Sequence, residues 1–183
     1  MRKFLRITIC FLLMVLASGC TTIYKTAVDE RSVGEIASDT KIKLNIVNSF
    51  IEDESLKVLD FFVGVYEGDV YLVGAYKSVA QKNRAIEIAK KTENVKSVKT
   101  YMLPAKENHP CTTKVNLEIT GRVMGRLIED KDIWSTNIDV KTVQCNVVLV
   151  GLVGSAGEVN KAIAHAKGVE GVRSVKSFLK TAR

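Results

Sequence analysis

Apolar residues recur along the chain with two periods, and the switches between them divide it into elements. Ile42, Ile46, Val47 and Phe50 fall at helical spacing within Asp39–Ile51, as do Ile119, Val123, Met124, Leu127 and Ile128 within Thr113–Ile128. Acidic, loop-like stretches close both helices, EDES from Glu52 and EDKD from Glu129. Two β-rich runs joined at a turn follow each, Phe61–Tyr66 with Val70–Ala75 and Ile138–Val143 with Val147–Leu152. A second helix is predicted over Ser78–Thr92 and again over Ser155–Lys167, with each Ser placed as N-cap. Ala85/Ala162 and Ala89/Ala166 flank Ile86/Ile163 on one face, small enough to let the helix lie close on a sheet. A last strand begins near Val95 and near Val172.

The two sets are copies. Asp60–Leu103 aligns without a gap to Asn137–Lys180 at a constant offset of 77, with 16 of 44 positions identical. The expected fold is therefore α+β, two tandem domains of order αββαβ, each with two helices on one face of a three-stranded sheet. The first domain spans 39–103 and the second 113–183; residues 104–112, which hold both prolines, form the linker. The hairpin turns differ. EGD at Glu67–Asp69 supplies a glycine, whereas QCN at Gln144–Asn146 does not, so that turn is expected to place Asn146 at positive φ or to be longer.

The N-terminus has another character. Arg2, Lys3 and Arg6 precede an apolar run ending in Ala17, Ser18 and Gly19, the layout of an export signal over 1–19. The run is about a dozen residues, short of the roughly 20 that span a bilayer as a helix. Ala17-Ser18-Gly19-Cys20 resembles the lipobox of bacterial lipoproteins, which implies acylation of Cys20 and a lipidated tether over 20–38. An ordinary secreted protein with a stray cysteine, or an uncleaved short anchor, are the alternatives. Thr21, rather than an acid, follows Cys20; in lipoprotein sorting this resembles an outer-membrane address facing the periplasm.

The strand motif V-x-L-V-G, followed by a capped Ala-rich helix and then V-x-S-V, resembles the BON domain. Two copies behind a lipobox, with DERSVG at Asp29–Gly34, resemble the dual-BON outer-membrane lipoproteins of the DolP (YraP) type, which are related to the periplasmic OsmY. That resemblance covers nearly all of the mature chain. It implies phospholipid binding and a role in envelope integrity.

Catalytic chemistry finds no support in the sequence. HExxH, P-loop, GxSxG and paired-cysteine metal spacings do not occur, so no catalytic residue, metal or cofactor is expected. His109 falls in the linker, and His165 reads as a partly exposed helix residue. Gly151–Gly157, GLVGSAG, reads as a strand-to-helix turn, because it lacks the Lys-Ser/Thr ending of a phosphate loop. With Cys10 in the signal and Cys20 acylated, Cys111 and Cys145 remain as a pair in an oxidising compartment. A disulfide is expected there, since the helix after Cys111 should start beside Cys145; two unpaired thiols are the alternative.

Charge changes the picture only late in the chain. From residue 20 onward there are 24 basic and 20 acidic residues, too mild an excess to argue for nucleic acid. Residues 20–103 balance at 12 and 12, while 113–183 carry 11 basic and 7 acidic residues, so anionic phospholipid is better matched to the second domain. The family resemblance associates the lipid surface with the first helix of that domain. By position this implies Lys114, Arg122 and Arg126 at headgroups and Leu117 and Gly121 at the acyl boundary, although Glu118 stands where that family presents an aromatic. Trp134 is a substitute interfacial aromatic. The competing reading makes these an ordinary solvated helix face, with Trp134 packed on the sheet. In function, the expectation is a non-enzymatic, lipid-anchored envelope protein, a monomer, with other envelope proteins as further partners. The alternative is a periplasmic interaction module or OsmY-like holdase that uses exposed sheet surface or strand edges.

Overall fold

The computed structural model describes residues 31–56 and 61–182. The signal segment, Cys20 and most of the tether lie outside the described residues. The first domain consists of α1 (Val33–Glu52), β1 (Phe61–Tyr66), β2 (Asp69–Tyr76), α2 (Val79–Lys91) and β3 (Ser97–Pro104). The second repeats the order with α3 (Thr113–Glu129), β4 (Ile138–Val143), β5 (Asn146–Val153), α4 (Ala156–Lys167) and β6 (Ser174–Thr181). A single 3-10 turn, Ser135–Asn137, precedes β4.

Local chemistry sets the helix starts. Ser32, Ser78, Thr112 and Ser155 each accept the amide three residues on, which satisfies a donor the helix leaves orphaned. At Ser32 the bond is reciprocal, because Glu35 reaches back to the Ser32 amide in a capping box. This cap starts α1 six residues ahead of the Asp39 expected from the apolar period. Residues 33–38 therefore belong to a helix, and the tether is shorter than 20–38.

In each sheet the second strand is central, antiparallel to the first and parallel to the third. Ile42, Ile46 and Phe50 of α1, with Ala85 and Ala89 of α2, bury against Val63, Val65, Val70 and Leu72. Ile119, Val123 and Leu127 of α3, with Ala162 and Ala166 of α4, do the same against Val140, Val147 and Leu149. The four alanines are completely buried, as their expected role in close helix-sheet packing requires.

The opposite faces of the two sheets pack on each other. Tyr66, Tyr71 and Val73 meet Val143, Val148, Val150 and Leu152 in a third core. β1 lies over β5 and β2 over β4, so exchanging the two repeats maps one contact onto the other. The layers run helices, sheet, sheet, helices. Polar groups lock the join: the Tyr66 hydroxyl donates to Asp139 at 2.7 Å, and Lys180 reaches across to Asp69, which also takes Lys99 at 3.2 Å and the Ser97 hydroxyl. Burial of Asp69 opposes its ionisation, yet these three donors together hold its carboxyl at about 2.

Both hairpin turns are two residues long, with positive φ at each: Glu67 and Gly68 in one, Gln144 and Cys145 in the other. The expected positive φ at Asn146 is therefore corrected, since Asn146 already pairs with Val143 as the first residue of β5. Asp39 accepts both the Glu67 and Gly68 amides at 2.8 Å, and Asn116, 77 positions on, accepts the Cys145 amide at 2.9 Å. Cys145 is also disulfide-bonded to Cys111, with 5.5 Å between the Cα atoms. At Gly151 a Cβ would lie 2.0 Å from the Asn137 carbonyl oxygen, so this close approach of β5 to the turn before β4 admits only glycine.

Candidate functional site: the outer face of helix α3

Helix α3 buries Ile119, Val123 and Leu127 and turns the opposite side to solvent. Met124 and Ile128, which share the helical spacing of the buried residues, are 42% and 66% exposed. With 3.6 residues per turn they continue a stripe begun by Leu117, 67% exposed, and Gly121. Beyond the helix the stripe reaches Trp134, the only tryptophan of the chain, which is half exposed. Half of its surface is therefore covered by the domain and half faces solvent. An aliphatic band ending in an aromatic, on the surface of a folded domain, is costly in water unless something covers it.

Two glycines on this helix lack a packing reason. A Cβ at Gly121 or at Gly125 would meet nothing within 4 Å. Glycine within an exposed helix costs about 1 kcal/mol relative to alanine, so at these positions stability is given up without any gain in the described fold.

The structure separates the other sequence-derived residues. Lys114 sits exposed at the N-terminal end of the stripe. Arg122 and Arg126 lie roughly 130–170° around the helix from the stripe, in a shallow depression with Glu129, Val169 and Glu170. Arg126 stands beside Gly168 at the C-terminal end of α4, where the helix dipole favours a cation. Glu118 is exposed between the stripe and these arginines. The expected set thus divides: Leu117, Gly121 and Trp134 share one surface with Lys114 at its end, while Arg122 and Arg126 flank it on the far side.

Met124, Ile128 and Lys131 join the surface without having been singled out as site residues. Their signal was present as the spacing 117, 121, 124, 128, but a helix with two apolar stripes does not show which one meets the sheet.

A cleft of about 560 Å³ opens between the C-terminal half of α3 and the segment from Asp130 to Asp139. Met124, Leu127, Ile128, Ile133, Trp134 and Ile138 make its apolar wall. Its rim carries two acids, Asp130 and Asp139. Asp130 takes His165 at 2.8 Å, the Asp132 amide at 2.9 Å and the charge of Lys161 at 3.7 Å, and these contacts, that from His165 foremost, hold its carboxyl below the usual range. Asp139 takes the Tyr66 hydroxyl. Glu158, buried beneath the loop, accepts the Trp134 amide at 2.8 Å and the Gly154 amide at 3.0 Å, and so fixes the segment that carries the tryptophan.

Among the described residues no group of three or more His, Cys, Asp or Glu could hold a metal ion, and no helix is long and apolar enough to cross a membrane.

Comparison with known proteins places this architecture. The BON domain family matches residues 38–103 and 116–183. Osmotically inducible protein Y of Escherichia coli K12 is 31% identical over 151 residues, which cover 81% of this chain and 75% of that protein. An uncharacterized protein in the gshII 5′ region of Anaplasma centrale is 30% identical over 121 residues, covering 64% of this chain and 79% of that one. Among solved structures, CdsD, a structural protein of the type III secretion system of Chlamydia trachomatis, is 13% identical and covers 75% of this chain and 90% of its own, with a TM-score of 0.33, too low to imply a shared arrangement. Two matched domains at the repeat positions, and a relative of this identity over most of both chains, make the protein a member of the BON-domain family, in a two-copy form related to osmotically inducible protein Y.

Proposed function

We propose that this is a non-enzymatic, lipid-anchored protein of the cell envelope that lays the outer face of α3 on an anionic phospholipid membrane and supports outer-membrane integrity from the periplasmic side. The observation that carries the reading is the exposed stripe Leu117, Gly121, Met124 and Ile128 running into Trp134. Fully burying an aliphatic side chain contributes about 1.5–3 kcal/mol, and each nearby cation adds about 1 kcal/mol at an anionic surface. Acylation of Cys20 would strengthen a weak contact. Thr21 to Ser32 is 12 residues, which reach at most about 40 Å, so the tether holds the domains at high local concentration beside the bilayer.

The interaction-module reading offered exposed sheet surface or strand edges. Both sheets are covered by helices on one side and by each other on the other. That reading is left with strand edges alone.

The test is flotation of the chain from residue 20, carrying Cys20→Ser, with vesicles of phosphatidylglycerol or phosphatidylcholine. Binding should favour phosphatidylglycerol, weaken with salt, and fall at least about tenfold with Leu117→Ser plus Ile128→Ser. Arg122→Glu plus Arg126→Glu should have a smaller effect, since those side chains flank the stripe. Equal binding to both vesicles, or binding to neither, would overturn the proposal.

A further inference from the structure

A second groove runs between the two domains, along the margin of the sheet-on-sheet core. The start of β1, the ends of β2 and β4, the linker and the first half of α3 line it, and its volume of about 910 Å³ falls in the range of small-ligand sites. Its formal charges have one sign. Lys106 and Lys141 stand on its wall with His109, and among the described residues no aspartate or glutamate does. Glu107, Glu118 and Asp139, which neighbour lining residues in sequence, are not part of the wall, and Asp139 is engaged by the Tyr66 hydroxyl. Neither lysine makes an ion pair with a described residue. Lys141 lies over the Phe62 ring, 4.6 Å from its centroid, and Lys43 stands 5.9 Å from the same ring.

What the polar lining has to offer is chiefly donors. The Cys145 amide donates to the Asn116 carboxamide oxygen, and the Cys111 amide donates to His109 Nδ1 at 3.0 Å, which puts the ring proton on Nε2. Arg173 brings its guanidinium to that Nε2 at 3.1 Å, and a guanidinium only donates, so an acceptor from outside would satisfy both groups. Thr112 Oγ1 accepts the Val115 amide, which leaves its hydroxyl hydrogen to give, and the Thr120–Thr142 hydroxyl pair at 2.8 Å leaves one more. The floor is apolar, made by Phe62, Val73, Ala75 and Leu117. Donors and cations around a small apolar floor are complementary to an anion rich in acceptor oxygens on a compact apolar body.

We infer that the groove between the domains binds a soluble organic phosphate monoester, with the phosphate in reach of Lys106 and Lys141 and the organic group on the floor from Phe62 to Leu117. Two lysines match the nearly two charges of such a phosphate, and its three terminal oxygens take the spare donors. The first turn of α3 adds partial positive charge at Thr113. Four side chains make too short a floor for the two hydrocarbon chains of a phospholipid. The inference does not rest on the membrane reading, although Leu117 edges both surfaces.

The test is an amide NMR titration of the chain from residue 20, carrying Cys20→Ser with the Cys111–Cys145 bond intact, using phenyl phosphate as the probe. Saturable shifts are expected at His109, Thr113 and Lys141, and none at Trp134. Inorganic phosphate and benzyl alcohol, each offering half of the ligand, should bind at least about fivefold more weakly. Lys106→Gln plus Lys141→Gln should weaken phenyl phosphate at least about tenfold, whereas Lys131→Gln, at the Trp134 cleft, should leave it unchanged. The ranking of the probes needs no groove variant and stands even if the double variant fails to fold. If inorganic phosphate binds as well as phenyl phosphate, the lysines hold an anion without using the floor and the inference falls. If dihexanoyl phosphatidic acid, below its micelle concentration, displaces phenyl phosphate and binds more tightly, the ligand is a lipid headgroup and the inference also falls. Shifts spread over lysines across the whole surface, or no shifts at all, overturn it as well. Vesicle flotation is read separately, so either proposal can fail while the other stands.

Discussion

Glu67–Gly68 and Gln144–Cys145 stand 77 residues apart, at the same turn of the same hairpin, and are held in the same left-handed conformation by unlike means. In the first repeat a glycine adopts the second position at no steric cost, and one carboxylate, Asp39, takes both turn amides while it pairs with Arg31 at 2.7 Å. In the second repeat two residues with side chains are forced to positive φ. A neutral amide, Asn116, takes one turn amide, and the disulfide to Cys111 supplies the remaining constraint. One backbone shape can therefore be specified by intrinsic preference or by external restraint. The restrained version also ties the linker to the second domain.

This contrast sets the order of the expected effects. Reducing the Cys111–Cys145 bond, which closes 34 residues, should destabilise the second repeat by about 3–4 kcal/mol in the chain-entropy model. Restoring glycine with Cys145→Gly in a Cys111→Ala background should recover part of that loss, as read by thermal melting. Asp39→Ala leaves two turn amides without their acceptor and removes one partner of Arg31, and should cost about 2–3 kcal/mol, against about 1 for Asn116→Ala; equal losses would remove the distinction drawn between the two turns.

The join between the repeats is sensitive to acid through Asp69. Its folded value of about 2 lies below its ordinary 3.8, so its contribution is complete above about pH 4 and disappears as the pH falls toward 2. The loss should be on the order of 1–2 kcal/mol after allowance for solvent screening, and Lys180→Met should flatten the profile measured by denaturant unfolding. The smallest effect has the opposite sign. Gly121→Ala should stabilise α3 by about 0.5–1 kcal/mol, because the added methyl meets nothing; at Leu44, the equivalent position of α1, a side chain is already present.

The sequence disclosed the elements wherever one period dominated. Ile42, Ile46 and Phe50, and their counterparts Ile119, Val123 and Leu127, lie where their spacing puts them. The beginning of α1 was hidden because its first turns bury nothing apolar, and only the Ser32–Glu35 capping box announces them. Both final strands begin two residues later than their apolar pattern suggests, at Ser97 and Ser174, because Val95 and Val172 are held in turns by Thr92 and Val169. The packing of sheet on sheet had a trace in Val70–Tyr76 and Val147–Val153, which are apolar on both faces, the mark of a strand covered twice. The candidate surface on α3 was legible only in part. Leu117 and Gly121 came from resemblance to a family and Trp134 from its character as an interfacial aromatic, while Met124 and Ile128 shared the helical spacing of the buried residues, because spacing alone does not rank two stripes on one helix.

Stacking the sheets back to back also decides what each domain can do without the other. Cut apart, either half would bare a tyrosine-and-valine surface to water, so the pair should melt as a unit rather than as beads on a string. It also sends α1 and α2 to one pole of the particle and α3 and α4 to the other. A surface that engaged the outer face of α3, as proposed, would leave the α1 and α2 pole turned away from it, separated by both sheets.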